Sequence, residues 1–176
     1  MKKRNLVLGM FAIAALGFTS CSSDDDNNSV NDQTVIAGTY NLTEVNTQAA
    51  TDFDKDGTPH VNQLEESSCY DDNKITLNSD GTLTYVVNSI IVNEATGVAA
   101  CGEDTVTGTW ERVGTGSDIT IRATYTQNGV NTTINLAKDG NELTYTKSGL
   151  TATYPDRNAD GNAYYRTGST EYVFVR

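Results

Sequence analysis

Two short acidic segments carry the residue spacing of a cation-binding loop. In the first, Asp52, Asp54 and Asp56 occupy alternate positions, and Gly57 follows them. Carboxylates at positions one, three and five converge when a glycine at position six turns the chain sharply, which is how calcium loops collect hard oxygen ligands. The backbone carbonyl of Thr58 would supply the ligand of the seventh position. This segment therefore predicts a calcium site.

The twelfth position of this loop departs from the calcium pattern. Gln63 stands where a bidentate glutamate is expected, so that carboxylate has to come from Glu65, from Glu66 or from elsewhere in the fold. The segment is the ligand-bearing half of such a loop and not a complete one. The alternative is an acidic, solvated turn that holds no ion.

A second segment repeats the spacing near the end of the chain. Asp156, Asn158 and Asp160 occupy alternate positions, Gly161 follows them, and Thr167 stands at position twelve. If the first and last strands of the fold are neighbours, the two segments could lie at one end and share an ion. The predicted role of calcium here is structural, because it would neutralise clustered acids and order a long loop.

The remaining polar residues offer no catalytic arrangement. His60 is the only histidine, and it lies beside Pro59 in the acidic segment. The sequence contains no Gly-x-Ser-x-Gly, no His-Glu-x-x-His and no phosphate-binding loop. Most aspartates lie in segments of turn composition, which explains them without chemistry. We expect the protein not to be an enzyme.

The elements that position these loops have the composition of β-strands from residue 34 onward. Threonine, valine, isoleucine and tyrosine dominate, and apolar residues alternate with threonines, so that one face is buried and the other is wet. Eight strands are predicted. They are Val35–Val45, Lys74–Leu77, Thr82–Val92, Thr105–Val113, Asp118–Thr126, Val130–Ala137, Glu142–Thr146 with a resumption at Thr151–Tyr154, and Tyr164–Arg176.

Short turns join most of the predicted strands. Asn78–Gly81, Asn128–Gly129 and Lys138–Asn141 supply residues that tolerate positive φ, so neighbouring strands are expected to pair antiparallel as a meander. Eight such strands with one apolar face close into a barrel, which removes both sheet edges. We predict an all-β fold, an eight-stranded antiparallel up-and-down barrel, with a long loop or a short helix at Val61–Ser68 between strands one and two. A two-sheet sandwich is the alternative.

The inward faces of the predicted strands carry side chains that could line a cavity. Those residues are Tyr85, Trp110, Ile121, Tyr125, Leu136 and Tyr145. An eight-stranded barrel is just wide enough to be filled by its side chains or to hold one small ligand. The preferred interpretation is a protein that binds a small apolar or amphipathic ligand. The alternatives are a filled core that serves as an interaction module, and a glycan-binding sandwich that uses Tyr164, Tyr165 and Tyr172.

The N-terminal residues have the order of a secretory signal. Lys2, Lys3 and Arg4 precede an apolar run at 6–16 that is too short to span a bilayer. We predict a signal at residues 1–20, an acidic tether at 21–33 and one domain at 34–176. Loss of the signal removes three positive charges and no acid, which takes the formal charge from −11 to −14. Such a chain repels nucleic acid and is compatible with cationic or neutral partners; the sequence identifies no protein partner.

The end of this signal resembles that of a bacterial lipoprotein. Gly17-Phe18-Thr19-Ser20-Cys21 implies a diacylated Cys21 as the first residue of the mature protein. The acidic run at 24–26 resembles the surface-export signal of Bacteroidota lipoproteins and implies a lipid-anchored outer-membrane protein exposed on the cell surface; the alternative is a plain solvated linker.

With Cys21 lipidated, Cys69 and Cys101 remain as a pair and are expected to form a disulfide in an oxidising compartment, the alternative being two free thiols.

Three motifs resemble lipocalins. Gly38-Thr39-Tyr40 is similar to their Gly-x-Trp opening, with tyrosine in place of tryptophan, and Gly108-Thr109-Trp110 repeats the pattern. The segment Cys69–Thr82 is similar to lipocalin-like lipoproteins of Bacteroidota, which carry one cysteine before strand two and another before a Gly-Thr-Trp strand. The resemblance covers residues 34–176. It implies a lipocalin-like barrel whose ligand is mostly unassigned.

Overall fold

The computed structural model describes residues 32–115 and 118–176. The predicted signal and the predicted lipid-attachment residue Cys21 lie outside these ranges, as does the tether up to residue 31. The first described element is the short helix α1 (Asp32–Ile36), which includes the last two residues of the predicted tether. In the described part of the chain, no helix is long and apolar enough to cross a membrane.

Thirteen strands follow α1 within the described residues. In chain order they are β1 (Gly38–Thr51), β2 (His60–Asn62), β3 (Lys74–Leu77), β4 (Thr82–Val86), β5 (Ser89–Asn93), β6 (Val98–Gly102), β7 (Thr105–Val113), β8 (Ile119–Gln127), β9 (Val130–Asp139), β10 (Glu142–Lys147), β11 (Thr153–Arg157), β12 (Ala163–Thr167) and β13 (Thr170–Val175). A single 3₁₀ turn covers Ser68–Tyr70 between β2 and β3.

Eight of these strands form a closed antiparallel barrel. Their order is β1-β3-β4-β7-β8-β9-β10-β13, and β13 pairs back with β1, so that Leu42 lies opposite Phe174. The strand β2 pairs with the far half of β1 as a ninth member of the sheet. The predicted eight-stranded up-and-down barrel is confirmed, and the two-sheet sandwich is excluded because the sheet closes on itself.

One end of the barrel, called here the closed end, is filled by side chains. It holds the β3–β4 turn, where Trp110 donates from Nε1 to the carbonyl of Asn78 at 2.8 Å. Ile36 of α1 packs into the same core, and the hydroxyl of Tyr40 donates to its carbonyl at 2.7 Å. The opposite end, where β4, β8 and β10 finish, is called the open end.

A second layer lies beside the open end and is called the cap. It consists of the β5–β6 hairpin, the β11–β12 hairpin and the connection from β1 to β3. The cap has its own apolar core, which includes Phe53, Tyr70, Ile90 and Ala163. Insertions into the barrel sequence therefore fold together and cover one side of its mouth.

Three predicted strands extend too far along the sequence. The first, Val35–Val45, begins in the structure only at Gly38, because Val35 and Ile36 belong to α1. The third, Thr82–Val92, leaves the barrel after Val86 because the Asn73 side chain binds both backbone groups of Asn88, and the chain then starts β5. The eighth, Tyr164–Arg176, is interrupted where Gly168 donates its N–H to Ala152, so β12 belongs to the cap and β13 to the barrel. The predicted resumption at Thr151–Tyr154 likewise falls in β11 of the cap.

The connection from β1 to β3 is the long loop of the prediction and not a regular helix. The Asn62 side chain accepts the N–H groups of Val45 at 3.0 Å and Leu64 at 3.2 Å, which fixes the segment against β1. Residues 63–66 then form turns that lead into the 3₁₀ turn at Ser68–Tyr70.

Candidate functional site

A cavity of about 280 Å³ opens at the open end of the barrel. Its volume lies just below the usual range of ligand pockets, about 300–1,000 Å³, so it suits a small molecule. Residues of five barrel strands and of the adjoining cap line it. They are Tyr70, Asn73, Tyr85, Val87, Asn88, Ser89, Tyr125, Gln127, Thr132, Tyr145, Lys147 and Tyr172.

Three barrel strands each place a tyrosine in this cavity. Because side chains two residues apart point to the same face of a strand, each strand presents a graded inward series. Apolar side chains form the floor, phenol rings the middle, and the last residues the rim. The series are Leu83, Tyr85 and Val87 at β4, Ala123, Tyr125 and Gln127 at β8, and Leu143, Tyr145 and Lys147 at β10.

The tyrosine rings are held against one another. Tyr85 meets Tyr125 edge to face with ring centres 5.8 Å apart, and meets Phe174 in the same manner at 5.9 Å. Tyr145 and Tyr172, which face each other across β10 and β13, are stacked at 5.8 Å. Both arrangements are favoured by the charge distribution of aromatic rings. The walls of the cavity are therefore formed by mutually supported aromatic side chains.

The phenol hydroxyls in the cavity differ from three others in the protein. The hydroxyls of Tyr40, Tyr164 and Tyr165 bind protein groups. Among the described residues, no hydrogen bond occupies the hydroxyls of the five cavity tyrosines, which are Tyr70, Tyr85, Tyr125, Tyr145 and Tyr172. These hydroxyls are open to the cavity, so a bound ligand or water can accept their hydrogen bonds.

The cavity phenols are protonated at neutral pH, since even the ordinary pKa of a tyrosine is about 10. Burial raises the pKa of Tyr125 and of Tyr172 to about 12, and it raises the pKa of Tyr85 well above its usual value. Burial likewise raises the pKa of Tyr70 and Tyr145. At neutral pH the cavity therefore presents hydroxyl groups that can donate hydrogen bonds.

The predicted ligand-binding residues separate into two groups. Tyr85, Tyr125 and Tyr145 lie together on the cavity. The other three pack in the closed end, where their exposed fractions are 3% or less: Trp110, Ile121 and Leu136.

Sequence reasoning missed three cavity residues of interest. Tyr70 reaches the cavity from the cap, which no strand pattern could indicate. Lys147 could have been found, since it continues the alternation of Leu143 and Tyr145, but the predicted strand ended one residue before it. Tyr172 is absent from the predicted cavity lining and is exposed only in the glycan-binding alternative, whereas its ring faces the cavity.

The first acidic loop is shaped by its own carboxylates. Asp54 accepts the N–H of Asp56 at 3.0 Å, Asp56 accepts that of Thr58 at 2.7 Å, and Asp52 accepts that of Gly57 at 3.3 Å. Gly57 has φ of 92°, a left-handed conformation that favours glycine. The sharp turn expected at the sixth position is therefore present.

Glu66 holds this loop in place through hydrogen bonds to its backbone. Its buried carboxylate accepts the N–H of Phe53 at 2.6 Å and that of His60 at 2.9 Å, and it lies 2.8 Å from His60 Nδ1. This hydrogen bond raises the pKa of His60. One oxygen each of Asp52, Asp54 and Glu66 lie within 4.8 Å of one another, which is the spacing of a possible cation site.

Other predicted ligands are arranged differently. Asp56 is not part of that three-residue group. In the second loop, the buried Asp156 accepts from Tyr164 and from Arg166, each at 3.2 Å, and Asn158 accepts the N–H of Asn162 at 2.9 Å. Asp160 is exposed at the tip of the β11–β12 turn. The two loops do lie against each other, because Arg157 of the second donates to the Phe53 carbonyl of the first.

The predicted disulfide is confirmed. Cys69 and Cys101 are bonded and join the 3₁₀ turn to β6. Because Tyr70 follows Cys69 directly, the disulfide also anchors the residue by which the cap reaches the cavity.

Comparison with known proteins adds no family to this description. No family model, no curated protein and no solved structure matches the chain. The barrel, its cavity and the acidic loop are therefore the basis on which function is argued.

Proposed function

We propose that this chain is a lipid-anchored surface protein whose lipocalin-like barrel binds one small amphipathic ligand among the tyrosines of its open end. The observation that carries the proposal is a cavity with aromatic walls whose phenol hydroxyls have no partner among the described residues. An apolar body would stack on the rings, and a polar group would accept from the hydroxyls.

The cavity favours ligand binding over a wholly filled core. Side chains fill only the closed end, while the open end retains about 280 Å³. Within the described chain, the lining residues include no aspartate, glutamate, histidine or cysteine. Aromatic walls with a few polar groups are typical of a site that binds a small molecule.

The proposed location rests on the N-terminal sequence. The order of basic residues, apolar run and Cys21, followed by an acidic tether, supports lipid anchoring in the outer membrane and exposure on the cell surface. The net charge of −11 supports a protein without a nucleic-acid partner. A tethered barrel of this kind would capture its ligand outside the cell.

Native mass spectrometry of the protein purified from the cell envelope of its native host tests both ligand binding and lipid anchoring. We expect a mass that contains a diacylated Cys21 and, on a fraction of molecules, a further small molecule that unfolding releases. A protein that carries no additional small molecule would contradict the binding role, and an unmodified N-terminus would contradict the anchor.

We propose calcium as a structural ligand of the first acidic loop. The convergence of Asp52, Asp54 and Glu66, with the glycine turn beside them, supports this site. The role of the ion would be to reduce repulsion between carboxylates and to order the long connection from β1 to β3.

A calcium titration followed by thermal unfolding tests this second proposal. We expect a higher midpoint at free calcium of about 1 mM, the affinity range of extracellular sites, and its reversal by a chelator. The variant Asp54→Asn should lose the response, whereas Asp139→Asn, on the exposed end of β9, should keep it. The same rise of the midpoint with calcium in the unmodified protein and in both variants would contradict the site.

A further inference from the structure

We infer that the ligand of the tyrosine-lined cavity is an organic anion, with a planar apolar body among the rings and its charged group at Lys147. This inference rests on the proposed binding function and specifies the chemical class of the ligand. It depends on the distribution of charge around the cavity and on the position of Lys147 on β10.

The cavity is free of negative charge in a strongly acidic protein. The sequence holds 23 aspartates and glutamates against 12 lysines and arginines, yet Lys147 is the one charged residue among the described residues that line the cavity. Asp104 accepts a hydrogen bond from Gln127 at 2.9 Å but does not itself line the cavity. A mouth that lacks carboxylates and carries one ammonium group selects against cations and in favour of anions.

Lys147 is directed to the mouth by the register of its strand. It lies two residues after Tyr145 on the same face of β10, and it is paired across the sheet with the buried Thr170 of β13. An anion that contacts the ammonium group would therefore place its attached body beside Tyr145 and the ring stacked on it, Tyr172.

The phenol groups can donate hydrogen bonds to an anionic acceptor. Their hydroxyls are protonated at neutral pH, since the ordinary pKa of a tyrosine is about 10 and burial raises it further here. Hydrogen bonds from neutral donors to a charged acceptor are among the stronger ones in proteins. Phenols in the middle of the cavity and an ammonium group at the rim thus match an amphipathic anion.

Three naphthalene probes of nearly equal size separate the possible ligand classes. Isothermal titration calorimetry would give the dissociation constants of naphthalene-2-carboxylate, its neutral carboxamide and the cationic naphthylmethylamine. We expect the carboxylate to bind about tenfold more tightly than the amide, and the amine to bind most weakly. In Lys147→Gln the carboxylate and the amide should bind equally.

A second lysine provides the matched control. Lys138 lies on β9 near the closed end, opposite Leu143, so Lys138→Gln removes the same charge without touching the cavity and should keep the preference.

If the three probes bind the unmodified protein equally, the anion assignment is wrong while the binding function stands. If the preference survives in Lys147→Gln, the assignment to this lysine is wrong. If none of the probes binds, both the assignment and the binding function are contradicted.

Discussion

Arg157 donates from Nε to the carbonyl of Phe53 at 2.7 Å, and its guanidinium lies 4.5 Å from the centre of the Phe53 ring. The same side chain donates from Nη1 to the carbonyl of Gly161 at 2.9 Å. Arg157 and Phe53 are 104 residues apart in sequence. One arginine therefore joins the first acidic loop to the turn of the second, within the cap.

Removal of this arginine should loosen the cap. Arg157→Ala loses two hydrogen bonds and a cation–π contact, and we expect the free energy of unfolding to fall by about 2–3 kcal/mol. Urea unfolding measures this change. Arg122→Ala breaks only the exposed ion pair with Glu111 and should cost less than about 1 kcal/mol. Equal effects of the two substitutions would contradict the joining role of Arg157.

The disulfide should stabilise both the protein and the cavity. Cys69 and Cys101 are separated by 32 residues, and closure of such a loop contributes about 3–4 kcal/mol through the unfolded state. We expect Cys69→Ser/Cys101→Ser to lower the free energy of unfolding by about that amount and to weaken probe binding, because Tyr70 loses its anchor. An unchanged affinity in a folded double variant would contradict the anchoring of Tyr70 by the disulfide.

The barrel itself could be predicted from alternation, whereas the cap could not. Tyr85, Trp110 and Leu136 all fall on inward positions, because a half-buried strand imposes a period of two on the sequence. The cap strand β5 has the same period, so alternation alone cannot assign it to a different sheet. The decisive contact is between the side chain of Asn73 and the backbone of Asn88, 15 residues apart, which no local pattern reveals.

Gly108 should not tolerate a side chain. It lies opposite Tyr125 where β7 and β8 approach closely, and a Cβ atom there would be 2.0 Å from the backbone oxygen of Thr124. Since this oxygen belongs to the sheet, Gly108→Ala should lower the free energy of unfolding by about 1–3 kcal/mol, as overpacking does. The neighbouring Thr107→Ala, whose side chain is exposed, is the control for urea unfolding. A stable Gly108→Ala protein would contradict the close approach.

Stability should fall at alkaline pH. The pKa of Tyr125 and Tyr172 rises from 10.0 to about 12 in the folded protein, so above pH 10 the unfolded chain loses these protons first. The contribution is fully present below pH 10 and disappears as the pH rises toward 12, by up to about 1.4 kcal/mol per pH unit for each tyrosine. Urea unfolding between pH 8 and about 11.5 measures this slope. Tyr125→Phe should reduce it, and a flat profile would contradict the burial of these phenols.

The candidate site was predictable only in part. Tyr85, Tyr125 and Tyr145 follow from the inward pattern, but the sequence gives no measure of depth, so it grouped them with Trp110 and Ile121 of the filled end. Depth depends on strand register and on α1, whose Ile36 packs into the closed end. In the acidic loop, spacing indicated the turn at Gly57, while the choice of Glu66 over Glu65 depends on which carboxylate the fold buries.

The most direct test of the binding function compares two neighbouring substitutions on β9. Thr132 lines the cavity, whereas the side chain of Thr133 points outward and binds Thr124 on the barrel surface. We would measure by native mass spectrometry the small molecule that remains on Thr132→Trp and on Thr133→Trp, each purified from its own envelope. We predict that Thr132→Trp loses this molecule and Thr133→Trp keeps it. Retention by a folded Thr132→Trp protein would place the ligand outside the tyrosine-lined cavity and contradict the proposed binding site.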